Sequence, residues 1–287
     1  MPAMFAAVAG LFGLTIGSFL NVVIHRLPIM MEQDWRRQCA ELEQREAPEQ
    51  TPYNLLRPRS ACPGCNRPIR ASENVPLLSW LLLRGKCAGC GQSISVRYPL
   101  VELLTGILSA LVAWRFGVTW ETVAALALTW SLVTLAGIDF DTKLLPDSIT
   151  LPLLWLGLFL SLFYPQADAQ RLFIDPRTAI IGAAAGYLSL WSVYQLFKLT
   201  TGKEGMGYGD FKLLGALGAW LGWQALPLII ILSAVVGAVV GVALILLARH
   251  GREVPMPFGP FLAAAGWIAL MWGDTLTGHY MRITGMS

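Results

Sequence analysis

The sequence predicts an all-α polytopic membrane protein, with about eight transmembrane helices and one cytoplasmic domain between the first and second spans. Three observations carry this. Of the 287 residues, 55% are hydrophobic and 14% charged, with a mean hydropathy of +0.57, which is too little charge to cover a soluble surface. The apolar residues fall in blocks close to the ~20 residues that a helix needs to cross a bilayer. The lysines and arginines gather on one side of those blocks, as membrane topology demands of a cytoplasmic face. A net charge of +3 is too small a basic excess to argue for nucleic acid as a partner.

Taken in order, the spans are expected at 4–24, 99–116, 119–138, 148–164, 178–198, 211–224, 226–248 and 258–274. The first carries no charged side chain before Arg26. A cleavable signal peptide opens with a basic region, so 1–24 reads as a retained helix. The sixth is short and glycine-rich, and only a turn near "WQALP" separates it from the seventh. That pair reads as two spans or as a re-entrant hairpin. The stretches "GAAAG" (182–186) and "GAVVG" (237–241) have the small-xxx-small spacing of close helix contacts. The eleven tryptophans suit interfacial anchoring and bundle packing. With eight spans, residues 25–98 and the loops 139–147, 199–210 and 249–257 share one side. Those segments hold fifteen of the 21 basic residues, Lys198 and Lys212 at span ends bring that side to seventeen, and Arg115, Arg171, Arg177 and Arg282 lie opposite. It is therefore the cytoplasmic side.

Residues 25–98 open with "EQDWRRQCAELEQREAPEQ", expected as a short helix and a linker. Then come "CPGC" at 62–65 and "CAGC" at 87–90. Two C-x2-C pairs that point Cys62, Cys65, Cys87 and Cys90 at one ion form the pattern of a structural zinc site. Two disulfides or plain reduced thiols are the alternatives, and a reducing cytoplasm disfavours stable disulfides. Four thiolates leave no open coordination position, so the site reads as structural and not catalytic. Cys39 lies outside both pairs.

Carboxylates cluster at two span ends. "AGIDFDTKLLPD" holds Asp139, Asp141 and Asp147, and "GMGYGDFKL" holds Asp210. Ionisable groups at membrane depth are costly and face a polar cavity or a partner. Two carboxyls brought together there cannot both ionise readily, so one keeps a proton while the other can take one from water. That is the chemistry of an aspartyl protease. Gly205, Gly207 and Gly209 beside Asp210 are expected to allow close backbone approach and unusual dihedrals, against which an extended substrate could lie. Asp147 is expected to cap the fourth span. Glu102, early in the second span, reads as a partner for a basic group, as a wall of the substrate cleft, or as a bland interfacial residue. On these residues alone, a flexible connector with a solvated aspartate competes with the protease reading. So do a proton-coupled transporter and a metal-dependent membrane transferase that uses "DFD" for Mg²⁺.

Here the segments combine. "GSFLNVVIHRLP" (17–28), "ENVPLLSWLLLRGK" between the cysteine pairs, "RYPLVELLTG" (97–106), "IDFDTKLLPD", "GMGYGDFKLLGALGAWLGW" and "PFGPFLAAAG" (257–266) together resemble the type IV prepilin peptidase family. These are the leader peptidase/N-methyltransferases of the GxGD group of membrane aspartyl proteases. The resemblance covers nearly the whole chain. It implies a multi-pass protein of the bacterial inner membrane that cuts type IV prepilins and type II secretion pseudopilins after a glycine at the cytoplasmic face. It implies N-methylation of the new terminus, usually Phe, from S-adenosylmethionine. By motif, the catalytic pair it implies is Asp139 and Asp210. Asp139 is preferred to Asp141 because the family's first aspartate lies seven residues before the loop proline, here Pro146. The cysteine-bearing loop marks the bifunctional branch, so residues 25–98 are expected to carry the methyltransferase region. Glu73, Asn74 and Gly85 are its candidate residues, and 99–287 is the expected peptidase domain.

Overall fold

The structure, a computed structural model, describes residues 2–45, 52–164, 174–247 and 256–284. Its helices are α1 (Pro2–Leu42), α2 (Leu78–Leu82), α3 (Arg97–Phe116), α4 (Trp120–Thr142), α5 (Asp147–Ser161), α6 (Pro176–Thr201), α7 (Tyr208–Leu221), α8 (Leu226–Leu247) and α9 (Gly259–Thr284). No named strand occurs among the described residues. Each expected span coincides with a helix. Among the described residues, five stretches are long and apolar enough to cross a membrane by length and composition: Pro2–Leu42, Arg97–Phe116, Trp120–Thr142, Pro176–Thr201 and Trp223–Leu244. The chain divides into two compact units, Met1–Val118 and Thr119–Ser287. Of the expected loop at 249–257, residues 249–255 lie outside the described residues.

In the first unit, α1 packs against α3 through small residues. A Cβ added at Gly13 would fall 2.9 Å from the Thr105 carbonyl oxygen, and one at Gly17 would fall 2.7 Å from Glu102 Cα. Only glycine admits that approach. The first helix does not stop near residue 24 but runs unbroken through Pro28 into the charged segment. There Glu32 pairs with Arg36 at 2.5 Å, and Asp34 with Arg37. Such i,i+3 and i,i+4 pairs hold a polar extension helical. The buried Arg26 donates to the carbonyls of Asn54 (2.9 Å) and Pro58 (2.6 Å), tying that loop to α1.

In the second unit, α7 is the central element. Asp210, Phe211 and every residue from Leu213 to Trp220 are buried. Its 14 residues rise only about 21 Å, short of the ~30 Å apolar core of a bilayer, and neighbouring helices cover it. Gly182 and Gly186 of the "GAAAG" stretch press on the α7 backbone at Gly218 and Leu214, which is the helix contact its spacing predicts. Trp220 Nε1 donates to the Leu153 carbonyl at 2.8 Å and fixes α7 against α5. Gly222, at φ +82°, then ends α7, and a 3-10 turn over Trp223–Ala225 leads into α8.

Candidate active site and metal centre

Asp139 lies in the last turn of α4 and Asp210 in the first turn of α7, so two helix ends bring the carboxyls together. Both are buried, at 5% and 7% exposure, and each lies within reach of the other's charge. Asp139 Oδ2 accepts the Gly259 N–H at 2.9 Å. Asp210 Oδ1 is buried and meets no hydrogen-bond donor among the described residues. Buried oxygens of this kind are rare, and one beside a second carboxyl suits a site that receives water or a peptide carbonyl. Asp141 is exposed. Two residues along a helix turn a side chain about 200° around the axis, so burying Asp139 directs Asp141 away from the site.

Asp147 does not cap α5. Pro146 holds the cap position and no side-chain cap bond forms. Asp147 instead binds Lys212 of α7 at 2.6 and 2.7 Å, because its place on the first turn faces the start of α7. That pair ties the loop after Asp139 to the helix that carries Asp210.

The three glycines differ from one another and from the expectation of unusual dihedrals. None of them has a positive φ. Gly209 is a steric requirement: an added Cβ would lie 2.6 Å from Leu145 Cβ. Gly205 lies against the Phe197 ring, 2.8 Å from where a Cβ would stand. Gly207 is the N-cap of α7, and its added Cβ would meet nothing within 4 Å. The motif therefore works through space at Gly209 and leaves open backbone at Gly207.

The four cysteine sulfurs lie within 4.8 Å of one another. Cys62 Sγ and Cys90 Sγ are 3.7 Å apart, beyond an S–S bond. A tetrahedral ion with Zn–S bonds of about 2.3 Å needs sulfurs about 3.8 Å apart, so the donor set fits zinc. Each pair sits in the same tight knuckle. Cys62 N donates to the Arg67 carbonyl (3.0 Å) and Asn66 N to Cys62 O (2.9 Å). Cys87 N donates to the Gln92 carbonyl (2.8 Å) and Gly91 N to Cys87 O (2.9 Å). The left-handed residue is Asn66 (φ 54°) or Gly91 (φ 73°), one past the second cysteine, and not the glycine between the cysteines. The backbone N–H groups of Cys90 and Gly89 aim at Cys87 and pull its thiol down to about 6, whereas at Cys90, despite the Gln92 N–H, desolvation and the other three sulfurs push the thiol up to about 11, so Cys87 is the sulfur most ready to offer the thiolate a metal requires.

Two family descriptions match the chain. The Bacterial Peptidase A24 N-terminal domain covers residues 11–116, and the Type IV leader peptidase family covers 126–242. The chain belongs to the type IV leader peptidase family. Similar relatives are named prepilin leader peptidase/N-methyltransferase. That of Aeromonas hydrophila is 58% identical, with 98% of this chain and 95% of the relative aligned. That of Pseudomonas aeruginosa is 54% identical over 99% and 96%, and that of Legionella pneumophila 45% over 98% and 96%. No solved structure matches the chain.

Of the three residues expected to serve methyl transfer in this leader peptidase, two have structural work. The Glu73 carboxylate pairs with Arg67 and accepts the Arg70 N–H at 3.2 Å. Those contacts, the Arg70 N–H first, hold its carboxyl below the usual range. Gly85 has φ +66°, donates to the Trp80 carbonyl at 2.8 Å and accepts Ile94 N–H at 2.7 Å. A Cβ there would stand 2.9 Å from the Trp80 ring. Asn74 is exposed after the 3-10 turn. Glu102 is buried and accepts the Leu77 N–H at 2.9 Å, which pins the start of α2 to α3. Sequence reasoning gave no role to Gly259 or Lys212. "PFGPF" was visible as a motif, but nothing in it says that a backbone N–H would meet Asp139, 120 residues away.

Proposed function

We propose that this protein cuts the leader from type IV prepilins and type II secretion pseudopilins after a glycine, then N-methylates the new terminus, usually Phe. The observation that carries the peptidase half is the pair of buried carboxyls that α4 and α7 bring together, one oxygen of which meets no donor among the described residues. The relatives' shared name supports both halves.

In this reading Asp139 and Asp210 hold one proton between them. The ionised carboxyl takes a proton from a water molecule, whose oxygen attacks the scissile carbonyl carbon. The protonated carboxyl hydrogen-bonds the carbonyl oxygen as negative charge develops there. The C–N bond then breaks, and a carboxyl proton passes to the leaving nitrogen. The products are a free leader carboxylate and a new N-terminal amine. Open backbone at Gly207 gives an extended substrate a surface to lie on.

Cys62, Cys65, Cys87 and Cys90 hold a structural Zn²⁺ that knits residues 62–90 into one folded piece. S-adenosylmethionine supplies an electrophilic methyl group, and residues 25–98 are the proposed methyltransferase region. The membrane is the bacterial inner membrane, crossed or entered by eight helices, with both aspartates on the cytoplasmic side. The test is to incubate membranes carrying the protein, and Asp139→Asn and Asp210→Asn variants, with a prepilin. Wild type should release the leader and each variant should not, while accumulating normally. Full cleavage by either variant would refute the dyad.

A further inference from the structure

We infer that Gly259 is a positioning residue of the peptidase: its N–H fixes the orientation of the Asp139 carboxylate, and the lack of a side chain leaves room for that carboxylate. The inference rests on the peptidase reading above. It starts from the local chemistry of "PFGP" at 257–260. Gly259 is the first residue of α9, and the first N–H groups of a helix have no partner inside it. Pro260 has no N–H at all. Phe261 N and Leu262 N both donate to the Phe258 carbonyl, at 3.1 and 3.2 Å. The Gly259 N–H is therefore the one donor of these four residues left over, and it points to Asp139 Oδ2 at 2.9 Å in a buried setting.

The sterics agree with the hydrogen bond. A Cβ at Gly259 would stand 2.7 Å from Asp139 Oδ2, 3.1 Å from its Cγ and 3.2 Å from Leu145 Cδ2. The smallest side chain would thus push directly on the carboxylate. The two helices are pinned a second time, where Trp267 Nε1 donates to Thr129 Oγ1 at 3.2 Å. Gly259 lies eight residues before Trp267 and Asp139 ten after Thr129, so α4 and α9 run antiparallel in a fixed register. An aspartate's last torsion is soft. A carboxylate at a helix end needs an outside contact to hold one plane, and the Gly259 N–H is that contact. It lies on the side of Asp139 that it shares with Leu145, the residue that also packs on Gly209.

Two variants test this. Gly259→Ala adds the clash. Replacing the Gly259 amide nitrogen by an ester oxygen, through an α-hydroxy acid introduced by nonsense suppression, removes the N–H without adding a side chain. The ester form should lose about tenfold in kcat for prepilin cleavage, in the range of one hydrogen bond to a charged group, with KM within about threefold. Gly259→Ala should lose about 100-fold in kcat, the scale of a misplacement near 1 Å. Gly273→Ala, on the same helix with only ordinary contact at 4.0 Å, should match wild type. If Gly259→Ala does not accumulate, the ester form decides. A wild-type kcat in the ester form, or a loss confined to KM, would overturn the inference. Failure of the dyad itself shows up separately, as cleavage by Asp139→Asn or Asp210→Asn.

Discussion

Gly209→Ala places a methyl group between the two segments that carry the aspartates. The new Cβ would stand 2.6 Å from Leu145 Cβ and 3.3 Å from Leu145 Cδ1. Ordinary carbon contacts begin near 3.5 Å, so the segments must separate by close to 1 Å. Gly209 precedes Asp210, and Leu145 follows Asp139 by six residues, so the separation falls directly on the dyad. Overpacking of this kind destabilises by about 1–3 kcal/mol, which a well-buried α7 can absorb. A shift near 1 Å in reacting groups costs about 100-fold in rate. Purified protein in lipid-detergent micelles, assayed for leader release under single-turnover conditions, should therefore accumulate and stay folded at the assay temperature, melting some degrees lower, yet cut about 100-fold more slowly. Leu145→Gly in the same chain removes the opposing Cβ and should restore part of the rate. Cleavage by Gly209→Ala within about threefold of wild type would refute this account of the motif.

Gly207→Ala should fold and turn over like wild type and alter KM alone, since its Cβ meets nothing within 4 Å; kinetics with a prepilin peptide decide this. Asp141→Asn should retain far more cleavage than Asp139→Asn, because Asp141 is exposed while Asp139 is buried. Because the dyad shares one proton, cleavage should be bell-shaped in pH: both carboxyls are neutral on the acid side and both charged on the alkaline side. A pH profile with a single limb would argue against a shared proton. Metal analysis of gently purified protein should find about one zinc per chain. Cys62→Ser should lower it and Cys39→Ser should not. Gly85→Val should lose zinc along with any methyl transfer, because a side chain there strikes Trp80 and unseats the second knuckle, so a variant that lost methylation with full zinc would show a more direct role for Gly85.

Most of the fold was legible because apolar blocks of bilayer length allow few alternatives. The cysteine spacing likewise left little choice, and the four sulfurs meet. What the sequence could not carry was the continuation of α1 past residue 24. There Glu32–Arg36 and its neighbours hold a polar helix continuous with the first, where the sequence reads as a separate short helix and a linker. Asp147 was misplaced because its partner, Lys212, is 65 residues away, and local rules see only the helix start. The glycines beside Asp210 read as offering both close approach and unusual dihedrals; the structure uses close approach, at Gly209, and not the dihedrals. Gly259 was invisible for a related reason, since a backbone N–H leaves no trace in the identity of the residue it serves.

The central claim is that Asp139 and Asp210 together break a peptide bond whose product is then methylated. Its most direct test is the intact mass of a prepilin after incubation with wild-type protein or Asp210→Asn, with and without S-adenosylmethionine. Wild type should yield pilin lacking the leader, heavier by one methyl group only when the donor is present. Asp210→Asn should leave the precursor whole and unmethylated, yet still methylate a pilin supplied already cut. Cleaved pilin from Asp210→Asn, or methyl transfer onto the uncut precursor, would contradict the account.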